Sequence, residues 1–384
     1  MTATATGPGP YLRAEPVEAK PPPNVVRGPV AWVRENLFSS IPNALLTLLV
    51  LYLLYVAIPP MVRFLLVNAV WTGTDRDACR PEVIGRPVGA CWAYIGDKIN
   101  YFVYGSYPAT ERWRVNVFFA LLALGVGWML WLRAPQRDLG AVYFFLVLPV
   151  LSYLLLAGSS WLGLSPVSTS DWGGILVTII VSSVGIVFSL PLGVLLALGR
   201  QSKLPLIRLF SVIFIEFVRG VPLITVLFMA NTMLPLFLPG GVTVDRLARP
   251  LIGVSLFAAA YMAEVVRGGL QAIPKGQYEG AMSLGLNYPL MMVFIVLPQA
   301  LRIVIPGIVN VLIALFKDTT LVSIVGILDL VKTLETARAD AAWAAPTIST
   351  TGYAFAALFY FLFCWGMSLY SRGVERRLAA GQKR

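Results

Sequence analysis

Histidine is absent from all 384 residues. Without it the chain has no imidazole metal ligand, no Ser–His or Cys–His nucleophile pair and no histidine proton relay. Cysteine is scarce: Cys79, Cys91 and Cys364 are the three, and none belongs to a CxxC pair. Charged residues make up 13% of the chain, against 58% hydrophobic. No G-x-x-x-x-G-K-[ST] phosphate loop occurs. If the protein works with ATP, another chain must bind it. A cleavable signal peptide is not expected, because the first apolar run starts only near Ile41, after a Pro- and Ala-rich leader.

What is present is long apolar sequence. Several runs exceed the roughly 20 residues that cross about 30 Å of hydrocarbon, and they are too long for barrel strands of about 9–11 alternating residues. The fold class is an all-α integral membrane protein whose medium is the lipid bilayer. The net charge of +11 then belongs to cytoplasmic loops, and no nucleic-acid partner is expected.

Eight spans are expected, near 42–66, 115–133, 141–163, 173–198, 206–237, 250–271, 290–316 and 349–371. Residues 1–40 read as a disordered tail and an interfacial segment, since the Pro-rich leader cannot bury enough apolar surface to offset its ordering entropy. Residues 41–164 form a three-helix extension with a polar loop at 71–114, and a module boundary falls at the SPVSTSDW bridge from Ser165. The second module, 165–376, is richer in glycine and intramembrane charge, and 377–384 is a basic tail. Arg200, Lys203 and Arg208 follow the fourth span with no acid among them, a positive-inside signal. An even span count and the basic tail put both termini in the cytoplasm and the 71–114 loop outside. That loop holds Cys79 and Cys91. Outside the cytoplasm, a disulfide closing it would contribute about 3 kcal/mol; two free thiols are the other reading.

The second module is organised around Ile273 to Pro298. It is a polar, glycine-punctuated stretch between two apolar runs, opening with Pro274, a good first-turn residue. Tyr278, Ala281, Met282, Gly285 and Leu286 recur at the spacing of one helical face. A short helix over 274–288 that is poor in Lys and Arg, with Gly280, Ala281 and Gly285 allowing close approach, suits a groove on a partner better than a lipid surface.

Two spans carry E-x-x-R-G: Glu216, Arg219 and Gly220 in one, Glu264, Arg267 and Gly268 in the other. Acid and base three apart share a helical face, and inside a membrane both must face protein or water. They either lock helices as ion pairs or line a path for a charged or zwitterionic solute; Arg267 could also snorkel to the interface. A second cluster, Asn310, Lys317, Asp318, Thr319 and Ser323, lies at the outer end of a proline-broken span. Asp318 would suit a substrate ammonium, and Thr319 and Ser323 a carboxylate. An ordinary helix cap with solvated charges is the alternative there.

Glu279-Gly280-Ala281, three residues, Gly285, nine residues, then Ile295-Val296-Leu297-Pro298 resembles the EAA motif of ATP-binding-cassette (ABC) importer permeases, E-A-A-x3-G-x9-I-x-L-P. Gly280 stands where that motif usually has Ala. FVRGVPL (217–223), AYMAEVVRGGLQAIPKGQ (260–277), LPQALRIVIP (297–306) and FKDTTLVS (316–323) resemble the polar-amino-acid uptake permeases. With its added N-terminal spans, the chain looks like a broad-specificity L-amino-acid permease of alphaproteobacterial type. The resemblance implies a five-helix type I permease core preceded by three extra helices, in a bacterial inner membrane. It also implies a non-enzymatic subunit with no cofactor of its own, ATP and Mg being held by two ATPase subunits. A periplasmic binding protein would deliver amino acids, acidic ones and amides included, and a second, homologous permease would complete a heterodimer. Tyr278, Glu279, Gly280, Ala281, Gly285 and Leu286 would couple to the ATPase. The competing classes are an ion-coupled secondary transporter, which would not explain a groove-fitting polar helix, and a membrane scaffold, which would not explain the intramembrane charges.

Overall fold

The computed structural model describes residues 28–131, 134–239 and 243–382. The tail expected over the first residues, Arg133 and the last two residues lie outside that set. Among the described residues helix is the only extended secondary structure, and strand-like pairing is confined to three isolated bridges.

The chain divides into two compact units, Met1–Val67 and Asn68–Arg384. The boundary read at residue 165 falls inside the second. In the first unit, α1 (Pro29–Leu37) starts on a proline. Its successor α2 (Ile41–Val62) starts at Ser40, whose hydroxyl accepts from the Asn43 amide at 3.4 Å. Pro59 and Pro60 lie inside α2, and a π-helical turn, Arg63–Val67, follows them directly. Proline removes intrahelical donors, and a widened turn absorbs the register change. No residue of α2 is buried, and after Thr47 its residues are apolar on every side, as suits a helix in lipid.

The second unit begins with a cap. Cys79 and Cys91 are joined by a disulfide, their Cα atoms 5.9 Å apart, just before α3 (Trp92–Tyr104). Two spans follow, α4 (Arg112–Leu130) and α5 (Asp138–Ala157). Arg114 is buried and pins this part to the bridge after α5: its Nη1 donates to the Ser165 carbonyl at 2.7 Å, its Nη2 to Ser165 Oγ at 2.9 Å, and it pairs with Glu111 at 2.8 Å. The 165 segment is thus an anchored crossing rather than a linker.

The core of the unit is α6 (Gly174–Arg200), broken span α7 (Pro205–Gly220) with α8 (Leu223–Phe237), and α9 (Ala248–Gln271). The span expected at 206–237 is too long to cross straight, and Gly220 and Pro222 should break or bend it; it is two helices meeting at 109° across that point. Val221 takes an extended conformation (φ −108°, ψ 137°) before Pro222, as a residue preceding proline prefers. Then come α10 (Lys275–Ser283), α11 (Tyr288–Ile303), α12 (Ile305–Val325), α13 (Leu330–Ala337) and α14 (Ile348–Gln382). The span expected at 290–316 is split at Val304, ahead of Pro306. Its longer half is Ile305–Val325, with Asn310 near its start and Lys317 to Ser323 in its last turns. Among the described residues seven helices are long and apolar enough to cross a membrane, and the count is eight if the bent pair is taken as one span.

The cap folds back on the end of the chain. Arg76 N donates to the Ala342 carbonyl at 2.8 Å, Cys91 N to Thr351 Oγ1 at 2.9 Å, and Trp343 Nε1 to Asp97 Oδ2 at 2.9 Å. Lys98 pairs with Asp340 at 2.7 Å. Beneath the cap, Asp329 is fully buried and caps α13, accepting from the Lys332 amide at 2.9 Å and the Val331 amide at 3.1 Å.

Burial pushes Asp329 up to about 6 from 3.8. The folded state therefore holds this proton more tightly than the unfolded chain, and the stability it contributes is full below 3.8 and lost as pH rises through about 6. Asp340 has the opposite sign: its hydrogen bond from Lys98 holds it below the usual range, so its contribution is lost only on further acidification. Detergent-solubilised protein should melt at falling temperature from pH 4 to pH 6, and the fall should flatten in Asp329→Asn, which keeps a capping oxygen. Parallel melting curves for the two proteins across that window would contradict the assignment.

Candidate functional site

Helix α10 and its exit turn are built by local chemistry. The Gly285 amide donates to the Met282 carbonyl at 2.9 Å and the Leu286 amide to the Ala281 carbonyl at 3.2 Å, a Schellman turn that needs its glycine left-handed, here at φ +73°. Asn287 then caps α11, its Oδ1 accepting from the Leu290 amide at 3.1 Å. The face predicted from spacing does not all point outward. Ala281 is buried, and Tyr278 and Leu286 pack with it against Ala197, Val266, Leu270 and Val296 of the protein's own core. Outward stand Glu279, Met282 (56% exposed) and Leu284 (78% exposed). A side-chain carbon at Gly276, Gly280 or Gly285 would meet nothing within 4 Å. The exposed ridge is thus an acid and two apolar side chains on a backbone that a partner can approach closely. Tyr278, Ala281 and Leu286 hold the helix down. Leu284 was missed because it lies off the apolar periodicity, in the turn.

A charge cluster joins the ends of α6, α7 and α9. Arg200, the last residue of α6, pairs with Glu216 of α7 at 2.8 Å and with Glu264 of α9 at 3.5 Å. Arg219 of α7 reaches Glu264 at 3.7 Å, and Arg267 binds Glu264 through both Nε and Nη2. The two E-x-x-R-G motifs therefore converge, and they pair across helices as well as within α9. Arg267 is engaged rather than snorkelling. Arg200, which reads from sequence as a loop charge, completes the cluster. With three arginines and two glutamates, the group carries one net positive charge.

Beyond the cluster is a cavity of about 250 Å³, lined by Leu223 at the α7–α8 break, by Phe257, Ala258 and Tyr261 of α9, and by Val311, Ala314, Leu315 and Asp318 of α12. The Arg219 guanidinium stands 5.7 Å from the Tyr261 ring centre, and Phe257 and Tyr261 rings are 4.9 Å apart. Tyr261 thus touches both the cluster and the cavity. It sits three residues before Glu264, a one-face spacing that could have drawn attention to it. Of the second predicted group, only Asp318 lines this cavity. Asn310 and Lys317 are exposed on other sides of α12. Thr319 is buried and donates to the Phe316 carbonyl at 2.8 Å, and Ser323 donates to the Thr320 carbonyl at 2.7 Å. Their hydroxyls serve their own helix, so they are not free to hold a ligand as expected.

Glu264 is the acceptor three arginines share, whereas Glu216 meets Arg200 alone and is half exposed. Glu264→Gln should destabilise the protein by roughly 1–3 kcal/mol, the range for losing a charge-assisted partner, and Glu216→Gln by clearly less. Thermal unfolding in one detergent measures both, and equal losses would remove Glu264 from the centre of the cluster.

Residues 189–380 match the family model described as binding-protein-dependent transport system inner membrane component. The chain is 47% identical over 353 residues to the inner membrane amino-acid ABC transporter permease protein YhdY of Escherichia coli (strain K12), covering 92% of this chain and 94% of that protein. It is 39% identical to the glutamate/glutamine/aspartate/asparagine transport system permease protein BztC of Rhodobacter capsulatus, covering 96% and 98%. Among solved structures, a crystal structure of an amino acid ABC transporter with histidines aligns with a TM-score of 0.46 at 26% identity, over 53% of this chain and 92% of that one. Permeases of this family are non-catalytic membrane subunits that work with a separate ATPase and a binding protein. The chain belongs to the binding-protein-dependent transport system inner membrane components and is a multi-pass ABC importer permease of the inner membrane.

Proposed function

We propose that this permease passes L-amino acids, with acidic amino acids and their amides in its range, from a periplasmic binding protein into the cytoplasm. The observation that carries the reading is likeness over the whole length. The family model begins at residue 189, yet YhdY and BztC each match more than nine-tenths of this chain, so they share its N-terminal spans too.

In this reading both termini and α10 face the cytoplasm, and the disulfide-bonded cap faces the periplasm, where such a bond persists. Two ATPase subunits, holding ATP and Mg, grip the ridge of Glu279, Gly280, Met282 and Leu284. A second, homologous permease completes a heterodimer. Asp318 receives the substrate's ammonium beside Tyr261. The carboxylate is met by first-turn amides of α8, which starts at the Val221–Pro222 break; half-helix N-termini serve anionic groups this way in other transporters.

Proteoliposomes holding this chain, its partner permease, the ATPase and the binding protein should take up glutamate or glutamine only with ATP inside. Uptake by this chain alone under an ion gradient would overturn the reading in favour of a secondary transporter. Glu279→Lys and Leu284→Asp should cut uptake by about tenfold or more through loss of ATPase association, since a charge reversal or a buried charge at an interface costs a few kcal/mol. Asp318→Asn should leave ATPase association intact and raise the substrate concentration needed for half-maximal stimulation. Unchanged ATPase binding in the first pair, or an unchanged substrate dependence in the third, would remove those residues from their roles.

A further inference from the structure

A second cavity of about 250 Å³ lies away from the charge cluster and from Asp318. It is enclosed by α4 and α5 on one side and by α6 and the start of α9 on the other, so it sits where the N-terminal spans meet the permease core. Its walls are apolar: Phe118, Leu122, Phe144, Leu148 and Val187 are typical. Among the polar side chains that break that lining, two are buried without a partner. Trp172 is 4% exposed and Ser152 is 8% exposed, and neither Trp172 Nε1 nor Ser152 Oγ has a hydrogen-bond partner among the described residues. A buried indole N–H is a donor only, so whatever fills the cavity should bring an acceptor. Next to it, and sharing Thr169, Trp172 and Leu247, is a smaller polar recess that holds Arg246.

These features exclude a free amino acid. That ligand needs both an anion and a cation partner within reach, and the one charged residue of the lining, Asp245, is already spent. Its oxygens accept from Thr169 Oγ1 at 2.6 Å, from the Leu247 amide at 2.8 Å and from the Ala248 amide at 3.2 Å. The order of chemistry along the site is apolar slot, neutral acceptor position, then guanidinium. That order matches acyl chain, ester carbonyl and phosphate.

We infer that this cavity binds one acyl chain of a membrane phospholipid, with its ester carbonyl taking the Trp172 and Ser152 donors and its phosphate beside Arg246. The lipid would seal the joint between the added spans and the core, filling a space that would otherwise forfeit dispersion contacts on both walls. Arg246 donates to the Gly326 carbonyl at 3.0 Å through Nη2, which leaves its other donors for a phosphate.

The test uses the full chain in phosphatidylethanolamine and phosphatidylglycerol vesicles doped with a phosphatidylethanolamine whose acyl chain ends in a photoactivatable diazirine. Labelling mapped by mass spectrometry should reach Phe144, Val184 and Val187 at the end of the cavity remote from Ser152 and Trp172, beyond the background at Leu146 and Val150, which are exposed on α5. Ser183→Phe, which fills the slot, should lower labelling inside by about tenfold without changing the background, because a packed interior has no room for both. Leu251→Phe fills it from α9, should Ser183→Phe unfold the chain. Trp172→Phe, which keeps the ring and loses the donor, should lower labelling inside severalfold. Cavity labelling no higher than background in the wild type, or unchanged in both filled variants, would overturn the inference.

Discussion

Close approach of α6 and α9 is the contact on which the second unit depends. Lipid tails are as apolar as leucine, so helices in a bilayer gain little by hiding apolar surface and must gain from dispersion at short range. Gly193 makes that approach possible: a side-chain carbon there would lie 2.7 Å from Met262 Cβ and 3.1 Å from the Ala263 amide. Gly185 does the same toward Leu315 of α12, where the added carbon would come within 2.9 Å. Around this seam the buried residues are small, with Ala258, Ala259, Ala260 and Ala263 on α9 and Ala197 on α6. Glycine and alanine thus hold the backbones near enough for longer side chains at the helix ends to meet.

Those longer side chains are the five charges. Arg200 reaches Glu264 only because α6 and α9 run in contact to their ends, and Glu216 and Arg219 enter because α7 packs on the same seam. A charge in a membrane needs a partner or water, and each of these has a partner of opposite sign. The cluster lies against the apolar group that holds α10, in which Ala197, Val266, Leu270, Ala281 and Val296 are buried together. Ion pairs and apolar anchoring therefore fix the same three helix ends, one by direction and the other by shape.

The span count and the two charged motifs were legible in the sequence because each rests on local spacing, which a helix converts directly into a shared face. What was not legible lies between elements. Arg200 read as a loop charge, since nothing local says that α6 ends beside α9. Pro222 announced a break but not its 109° angle, which neighbouring helices set. Spacing grouped Tyr278, Ala281 and Leu286 on one side of α10 but could not say whether that side meets the chain's own core or a partner. Thr319 and Ser323 had the right chemistry for a ligand, yet a 3₁₀ turn from Thr319 to Val325 brings their hydroxyls onto carbonyls three residues back. At the texture change read at residue 165, buried Arg114 bonds across to Ser165, a contact between distant residues that composition does not show.

Two helices adjoin α10, α9 before it in the chain and α11 after it, and they differ in stiffness. Helix α9 is unbroken from Ala248 to Gln271, so Tyr261 stands about 15 Å from its lower end at 1.5 Å per residue, on a continuous rod. Toward Asp318 the route runs through α11 and then across the Val304 break into α12. Force applied at α10 therefore reaches one wall of the Tyr261–Asp318 cavity directly and the other through a joint. The third wall, Leu223, follows the 109° bend between α7 and α8, a second joint beside the same cavity. A space bounded by one rod and two joints would change its width if α10 were moved relative to the helix bodies. Hinge motion of this kind concentrates displacement at a few backbone positions and leaves cores intact. Each of the two joints coincides with a proline-directed break, Pro222 and Pro306, so the compliance is placed where helical hydrogen bonds are already missing.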